Sequence, residues 1–278
     1  MKTSSKSGKA IKAVLPLFFD NDNIQEIARC KNVIEEIKQS LWTNPYANSK
    51  EFTKGRDDVF ETARLAALAL NDEEMANSVF VAKQYYATIH HLKRYYECIK
   101  MREYSKSWGV LQDSIDSASL VMRFTNAQSA LEIPAILTML HSYERLYSYS
   151  FFFSIECVGH TVCSICSKPL DDPSCRHLVG ELYWGELALS VYEEIESTKA
   201  IALVSHPKDK RCVVQFSDKD RPETEVYKCV HDFFSVIEPL QEVELIERRR
   251  KDDPQEPRNI EILVGAKIKR SRIHSSDQ

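Results

Sequence analysis

Three cysteines and one histidine are the residues of this sequence whose types and spacing most clearly indicate chemistry. Cys163 and Cys166 are separated by two residues, and Cys175 and His177 follow with one residue between them. Two thiols at the first spacing can converge on one ion from a tight turn. In an extended segment, the second spacing points both side chains to the same side. The two pairs together supply four ligands, the number that zinc takes in structural sites.

The residues between the two pairs favour the same interpretation. The segment 167–174 contains two prolines and two adjacent aspartates but almost no apolar side chain, so burial alone would not fold it. Zinc binding, worth about 10–16 kcal/mol in isolated zinc fingers, would replace the missing core. Four protein ligands also make a closed, structural site, whereas catalytic zinc keeps one position open for water. We therefore predict one structural Zn²⁺ held by Cys163, Cys166, Cys175 and His177.

Other interpretations of these residues stay open from the sequence. The cysteines could be free thiols in a loop, or Cys163 and Cys166 could form a redox pair, although a redox motif would not need the second pair of ligands. Cys157 or His160 could replace one of the four ligands. The remaining cysteines lie in apolar sequence and are predicted to be core residues. These are Cys30, Cys98, Cys212 and Cys229.

The same stretch resembles a small zinc module of uncharacterised bacterial and phage-encoded proteins. The resemblance covers about residues 163–213 and begins with the strings Cys-Ser-Ile-Cys-Ser-Lys and Cys-Arg-His. It continues at Gly180, Tyr183, Gly185, Glu186, Ala202, Leu203, Val204 and Pro207. In that module a further cysteine commonly follows the Gly-Glu pair, where this chain has Leu187 and Ala188. The resemblance implies zinc binding and implies no activity.

Sequence patterns typical of enzymes match this chain less well than the zinc-ligand pattern does. A zinc deaminase needs His-x-Glu followed by Pro-Cys-x-x-Cys, but Glu181 does not stand in that relation to His177, and Val162 precedes Cys163. An HNH-type nuclease carries an acidic residue before the histidine that follows its Cys-x-x-Cys knuckle, and Arg176 occupies that position here. The sequence has no glycine-rich phosphate loop. We predict no catalytic residues, and a metal-dependent, HNH-like nuclease is the alternative.

A second candidate surface is the stretch 83–108, where tyrosines are interleaved with basic residues. Basic side chains can neutralise phosphates, and tyrosines can stack on bases. Tyrosine and arginine are also frequent in the hot spots of protein interfaces. A helix with tyrosines packed inside and basic side chains facing water would show the same pattern. The candidates for partner or nucleic-acid binding are Lys83, Tyr86, Lys93, Arg94, Tyr96, Lys100 and Arg102.

Hydrophobic periodicity predicts helices in the first half of the chain, because apolar residues recur there at intervals of three and four positions. The predicted helices are 23–42, 57–104 with a break at residues 71 and 72, 107–122, and 129–152 with a kink at Pro134. After residue 155 we expect helices and, where β-branched residues concentrate, short strands. The helices are 184–197 and 223–237, and the strands are 200–204, 211–216 and 260–264.

The predicted fold is mainly α, with a helical N-terminal domain followed by a small, zinc-stapled α+β domain. The predicted organisation is a flexible segment 1–19, a helical domain 20–155, a zinc-binding domain 156–266 and a basic, flexible tail 267–278.

Composition places the chain in the ordinary globular class. Its 278 residues are 43% hydrophobic and 28% charged, with a net charge of -4, which is not typical of disordered or membrane proteins. The apolar stretch 14–19 is short and contains Pro16, so we expect neither a signal peptide nor a membrane span. Eight cysteines without a secretory signal indicate reduced thiols and metal ligands, which predicts a cytoplasmic protein.

These observations together predict a non-catalytic binding or adaptor component, of a bacterial or phage-related multi-protein system. Its expected partner is another protein, with nucleic acid as the alternative, and no membrane is expected to take part. The candidate partner surface is the helix rich in tyrosine, lysine and arginine.

Overall fold

A computed structural model describes residues 25–43, 56–125, 132–213, 222–236, 260–263 and 266–269. The predicted segment 1–19, and the predicted tail from residue 270 onward, lie outside the described residues. Within these ranges, five helices come first and strands follow them, which agrees with the predicted order. The helices are α1 (Gln25–Thr43), α2 (Asp57–Ala69), α3 (Glu73–Lys100), α4 (Tyr104–Phe124) and α5 (Ile133–Glu144).

Local signals explain where the central helices begin and end. The predicted break at residues 71 and 72 is confirmed, since Asn71 has a φ of 54° between α2 and α3. Asp72 then caps α3, because its carboxylate accepts a hydrogen bond of 2.9 Å from the backbone N–H of Met75. Such a bond satisfies one of the donors that the first turn of a helix leaves free.

The predicted kink at Pro134 is wrong. Ile133 is the first residue of α5, so Pro134 lies in the first turn of that helix. A proline is well tolerated there, because its missing N–H would have no partner within the helix. Helix α5 ends at Glu144, so the predicted helix over 129–152 extends too far toward the strands.

One core, formed by side chains of all five helices, unites the first half of the chain. Helix α3 contributes most of its length to it, and its Ile89, Leu92 and Tyr95 are fully buried. Aromatic rings are prominent in this core. Trp108 of α4 lies with its ring centroid 5.1 Å from that of Tyr147, which follows α5.

Two short helices near the end of the described chain return to the same core. They are α6 (Glu223–Val226) and α7 (Lys228–Ser235). The ring centroid of Phe234 lies 5.8 Å from that of Tyr95 and 5.3 Å from that of Tyr143. The hydroxyl of Tyr104 lies 2.8 Å from Nδ1 of His231. Helix α7 therefore packs among the helices, although it follows the cysteine cluster in the sequence.

Two long strands form an antiparallel ribbon. They are β1 (Phe152–Cys163) and β4 (Ser190–Val204), with Phe152 opposite Val204 and Cys163 opposite Ser190. The predicted helix over 184–197 is wrong. Apolar residues spaced four apart in that segment suggest a helical stripe, but its β-branched residues suit a strand, and pairing with β1 decides the conformation.

Three irregularities shape the ribbon. Strand β4 has 15 residues and β1 has 12, and the register shifts leave Lys199, Glu196 and Glu193 of β4 without a partner position. All three are charged. Each extra residue increases the local twist. Because each extra residue shifts the alternation of faces by one position, most of the large apolar residues of β4 lie on the same face of the ribbon.

The end of the ribbon at Phe152 and Val204 is connected to α4 through residues 210–213. The indole N–H of Trp108 donates to the carbonyl of Lys210 at 2.7 Å, and Arg211 pairs with Asp113 at 2.7 Å. Val213 forms an isolated bridge with Phe152. Val213 belongs to the predicted strand 211–216, and the last three residues of that strand lie outside the described ranges.

Two short hairpins complete the described fold. The first consists of β2 (Leu182–Tyr183) and β3 (Glu186–Leu187), and the second of β5 (Ile260–Leu263) and β6 (Ala266–Lys269). The second hairpin falls on the predicted strand 260–264. Within the described ranges, no helix has both the length and the apolar character needed to cross a lipid bilayer.

Packing of α7 in the helical core can be tested at two adjacent phenylalanines. Phe234 is 6% exposed and Phe233 is 43% exposed. Phe234→Ala should lower the free energy of unfolding by about 3 kcal/mol, the low end for deletion of a buried ring. Phe233→Ala should lower it by about 1 kcal/mol or less. Urea denaturation measures both, and equal effects would contradict the packing of α7.

Candidate metal centre

The first pair of ligands lies in a tight turn at the end of β1. The N–H of Ser167 donates to the carbonyl of Cys163, and the N–H of Cys163 donates to the carbonyl of Lys168, both at 2.8 Å. Ser167 has a φ of 55°, a left-handed conformation that costs a residue with a Cβ about 1–2 kcal/mol. The turn places the side chains of Cys163 and Cys166 together, as their spacing predicts.

Backbone N–H groups of the turn point at the sulfur atoms. Burial acts to raise the pKa of the Cys163 thiol, but hydrogen bonds from the N–H groups of Cys166 and Ile165 outweigh it, so this pKa is lowered. The pKa of Cys166 is raised. The N–H of Lys168 favours its thiolate, but partial burial and the nearby sulfur atoms of Cys175 and Cys163 oppose it more strongly. The turn thus makes Cys163 the more acidic of the two thiols.

The second pair of ligands is positioned by a turn at Asp172. The carboxylate of Asp172 accepts a hydrogen bond from the N–H of Ser174 at 2.7 Å, and its carbonyl accepts one from the N–H of Cys175 at 2.9 Å. These bonds turn the chain back toward β1. As a result, the sulfur atoms of Cys166 and Cys175 lie 3.7 Å apart.

The four predicted ligands meet at one point. The ligand atoms of Cys163, Cys166, Cys175 and His177 all lie within 4.8 Å of one another. Nδ1 of His177 is buried and has no hydrogen-bond partner. An unsatisfied buried polar atom costs about 1–3 kcal/mol, and bonding to a metal is one way to satisfy such a ring. The cluster therefore has the donors and the geometry to hold one metal ion.

Other cysteines and histidines take no part in this cluster. Cys157 and His160 lie on β1, where Nε2 of His160 is 3.0 Å from a carboxylate oxygen of Glu196. All eight cysteines are free thiols. Cys30 and Cys98 are buried, as predicted, and burial raises the pKa of Cys30 to about 12. The prediction that Cys212 and Cys229 are core residues is wrong, because both are exposed.

The hairpin of β2 and β3 docks the cluster on the helices. Its turn lies against the start of α3, where the N–H of Gly185 donates to Oδ1 of Asn77 at 2.8 Å. Gly185 has a φ of 78°, and a Cβ there would lie 2.8 Å from the carbonyl oxygen of Ala76. Arg64 of α2 adds an ion pair of 3.0 Å to Glu186. The close backbone contact explains why this position requires glycine.

Tyr183 connects this hairpin to the cluster. Its ring contacts the imidazole of His177 edge-on at 4.7 Å between centroids, and its hydroxyl accepts a hydrogen bond of 2.9 Å from the N–H of Leu178. Sequence patterns gave Tyr183 no role beyond its place in the resemblance. Asn77 was also not predicted, although a polar residue on the buried side of a helix is a usable signal.

The residues of the predicted partner helix divide into two groups. Tyr86 and Tyr96 are buried, and Lys93 is fully buried with its amine 3.5 Å from the carbonyl of Ser40. Burial lowers the pKa of this lysine. The other candidates, Lys83, Arg94, Lys100 and Arg102, are exposed. Since the buried tyrosines cannot stack on bases, the tyrosine pattern reflects core packing.

No family model, curated protein or solved structure matches this chain. What the cluster does must therefore be inferred from its own chemistry. In the part of the chain that the structure describes, no second group of three or more cysteine, histidine, aspartate or glutamate side chains is placed to hold an ion.

Metal binding by the cluster can be tested by substitution. The purified protein should contain one metal ion per chain, and Cys175→Ser should reduce this to well under half, because three ligands hold a metal far less tightly than four. Cys157→Ser is the matched control, since Cys157 lies outside the cluster, and it should leave the content unchanged. Elemental analysis measures both. Equal metal contents in the two variants would contradict the assignment.

The docking contact at Gly185 gives a second prediction. Gly185→Ala should destabilise the protein by about 1–3 kcal/mol, because alanine is strained at this φ and would press on the carbonyl of Ala76. Gly109→Ala in α4 is the control, since its added methyl group meets nothing within 4 Å. That change should stabilise the helix by up to about 1 kcal/mol. Thermal unfolding of both variants should show shifts of opposite sign.

Proposed function

We propose that the cluster holds one structural zinc ion and that the protein is a non-catalytic binding or adaptor component of a bacterial or phage-related multi-protein system. Three thiolates and one imidazole are a donor set typical of zinc. Tetrahedral thiolates at about 2.3 Å from zinc lie about 3.8 Å apart, which is close to the 3.7 Å between the sulfur atoms of Cys166 and Cys175. This agreement supports zinc as the ion.

A structural role is supported by the ligand set. Four protein ligands fill a tetrahedron and leave no position for an activated water. The residue before His177 is the exposed Arg176, where an HNH-type nuclease would carry a carboxylate. The zinc would instead fix the turn at the end of β1 and hold the chain that leads into the hairpin on α3.

The proposed binding function is based on one observation, the exposure of the ribbon. Every residue of β4 from Ser190 to Leu203 is exposed. The register places six large apolar side chains, each 45–65% exposed, on one face of the ribbon. They are Phe153, Ile155, Tyr192, Ile195, Ile201 and Leu203. A contiguous exposed apolar surface is typical of an interaction site, and we call this set the apolar stripe.

The chemistry of the stripe favours a protein partner. Strands β1 and β4 carry four glutamates against the single Lys199, so their charge repels a polyanion such as nucleic acid. An apolar surface of another protein would bury the stripe, and each fully buried large side chain would contribute about 1.5–3 kcal/mol before the costs of association.

The proposal is tested by substitution on the two faces of the ribbon. Ile201→Asp places a charge in the stripe and should abolish co-purification of a protein partner from the native host. Ser197→Asp is the matched control, since Ser197 is exposed on the same strand but pairs with Val158 on the opposite face. It should keep the partner. Quantitative mass spectrometry after affinity capture measures both variants.

Two outcomes would contradict this function. The first is a partner that both variants retain, because the stripe would then not be the binding surface. The second is a partner that disappears when the lysate is treated with nuclease, which would indicate a nucleic-acid-binding protein. A carboxylate substitution that alone abolishes a nuclease activity would favour the HNH-like alternative.

A further inference from the structure

The two faces of the ribbon differ in charge. Among the paired positions of β1 and β4, the face that carries the apolar stripe has no charged residue. The opposite face carries Glu156 and Glu194. Glu196 also belongs to that face, since its carboxylate lies 3.0 Å from Nε2 of His160, which pairs there with Glu194. The stripe face can therefore be buried against a protein without removing a charge from water at any paired position.

The outer edge of β4 is less suited to contact a partner. Among the described strands β4 pairs with β1 alone, and the residues that the register leaves without a partner position are Glu193, Glu196 and Lys199. Bulges and charged side chains on an edge strand interrupt the regular row of backbone groups that another strand would need. A partner would therefore contact the side chains of the stripe and would not extend the sheet.

We propose that the stripe of one chain packs face to face against the stripe of a second copy, so that the protein is a homodimer with a two-fold axis through this face. The inference rests on the binding function proposed for the stripe and names its partner. Homodimer interfaces are more apolar than transient interfaces, and charged residues are depleted from their cores. The stripe face has this composition, since it is free of charge over the five cross-strand pairs from Phe153 to Thr161.

The exposed area of the stripe is large enough for a dimer. A fully exposed large side chain presents roughly 200 Å², and the six members of the stripe are each 45–65% exposed. Two stripes together would thus bury about 1,200–1,400 Å², and specific, stable interfaces bury about 1,200–2,000 Å². Two stripes in contact therefore reach the range of a stable interface before any other residue is counted.

Cys157 marks the centre of this surface. It lies on the stripe face opposite Thr198, and along the ribbon two cross-strand pairs with stripe residues lie on either side of it. Its thiol is free, and the residue is half-buried. In a two-fold contact the same patch is used by both chains, so a residue at the centre of the patch lies near its own copy. The proposed dimer therefore brings the two Cys157 thiols close together.

Self-association of the purified protein tests the inference with no other protein present. The mass in solution should be about twice the 32.0 kDa of one chain. Ile201→Asp should raise the dimer dissociation constant by about tenfold or more, because an unpaired charge would be buried in the contact. Ser197→Asp, on the opposite face, should leave it unchanged. Analytical ultracentrifugation across the micromolar range measures all three proteins, and helical circular dichroism and metal content verify that each is folded.

Cross-linking gives a second, independent measurement. A short bismaleimide should join two chains through Cys157, and Cys157→Ser should remove this cross-linked dimer. Cys212→Ser and Cys229→Ser are the controls, since both thiols are exposed but lie outside β1 and β4. These two changes should leave the cross-linked dimer in place.

Failure of this inference is distinguishable from failure of the proposed function. A protein that stays monomeric throughout the micromolar range, while Ile201→Asp still loses a captured partner, would overturn the second copy and keep the stripe as a surface for a different protein. A monomer that captures no partner would overturn both. A dimer that Ile201→Asp leaves intact, or a cross-link that survives Cys157→Ser, would also overturn the inference, because another surface would then join the chains.

Discussion

The convergence of four ligand atoms within 4.8 Å is the constraint on which the second half of the fold depends. The segment that supplies them has few buried side chains, so the contacts that fold the helices are missing there. In the proposed metal site, an ion bonded to four side chains would replace them. Its effect reaches beyond the loop, because Cys163 is the last residue of β1 and β4 begins after the hairpin that the same segment leads into. Fixing the cluster therefore fixes one end of the ribbon.

The helices are stabilised by buried side chains and not by bonds to an ion. Their core is continuous and rich in tyrosine, with hydroxyl groups bonded to one another, as between Tyr96 and Tyr143 at 3.0 Å. The ribbon is tied to this core at Trp108 at one end and, through Gly185, at Asn77 at the other. Between these anchors β4 stays exposed. The binding function proposed above rests on this exposed strand.

The sequence predicted the parts of this arrangement that depend on local chemistry. The grouping of the three cysteines with His177 followed from spacing alone, and the helices of the first half of the chain followed from periodicity, with the break at Asn71. Strand β4 was predicted only at residues 200–204. Its first part was predicted as a helix because its conformation depends on pairing with residues of β1 that lie 27 to 41 positions earlier, and local spacing resembled a helix. The burial of individual side chains also could not be predicted from the local sequence. The tyrosines interleaved with lysine and arginine fitted both a binding surface and a packed helix, and packing against α2, α5 and α7 buries them. Cys212 and Cys229 lie exposed within apolar sequence.

In the proposed site, a metal ion with four protein ligands fills the cluster, and X-ray absorption at the zinc edge measures these ligands directly. We expect three sulfur atoms at about 2.3 Å and one nitrogen at about 2.0–2.1 Å from the metal. The same first shell should persist across a range of pH in which the protein stays folded, because no water is bound to titrate. A shell with fewer than three sulfur atoms, or with a bound water oxygen, would contradict a closed structural site, and protein that carries no zinc would contradict the assignment of the ion.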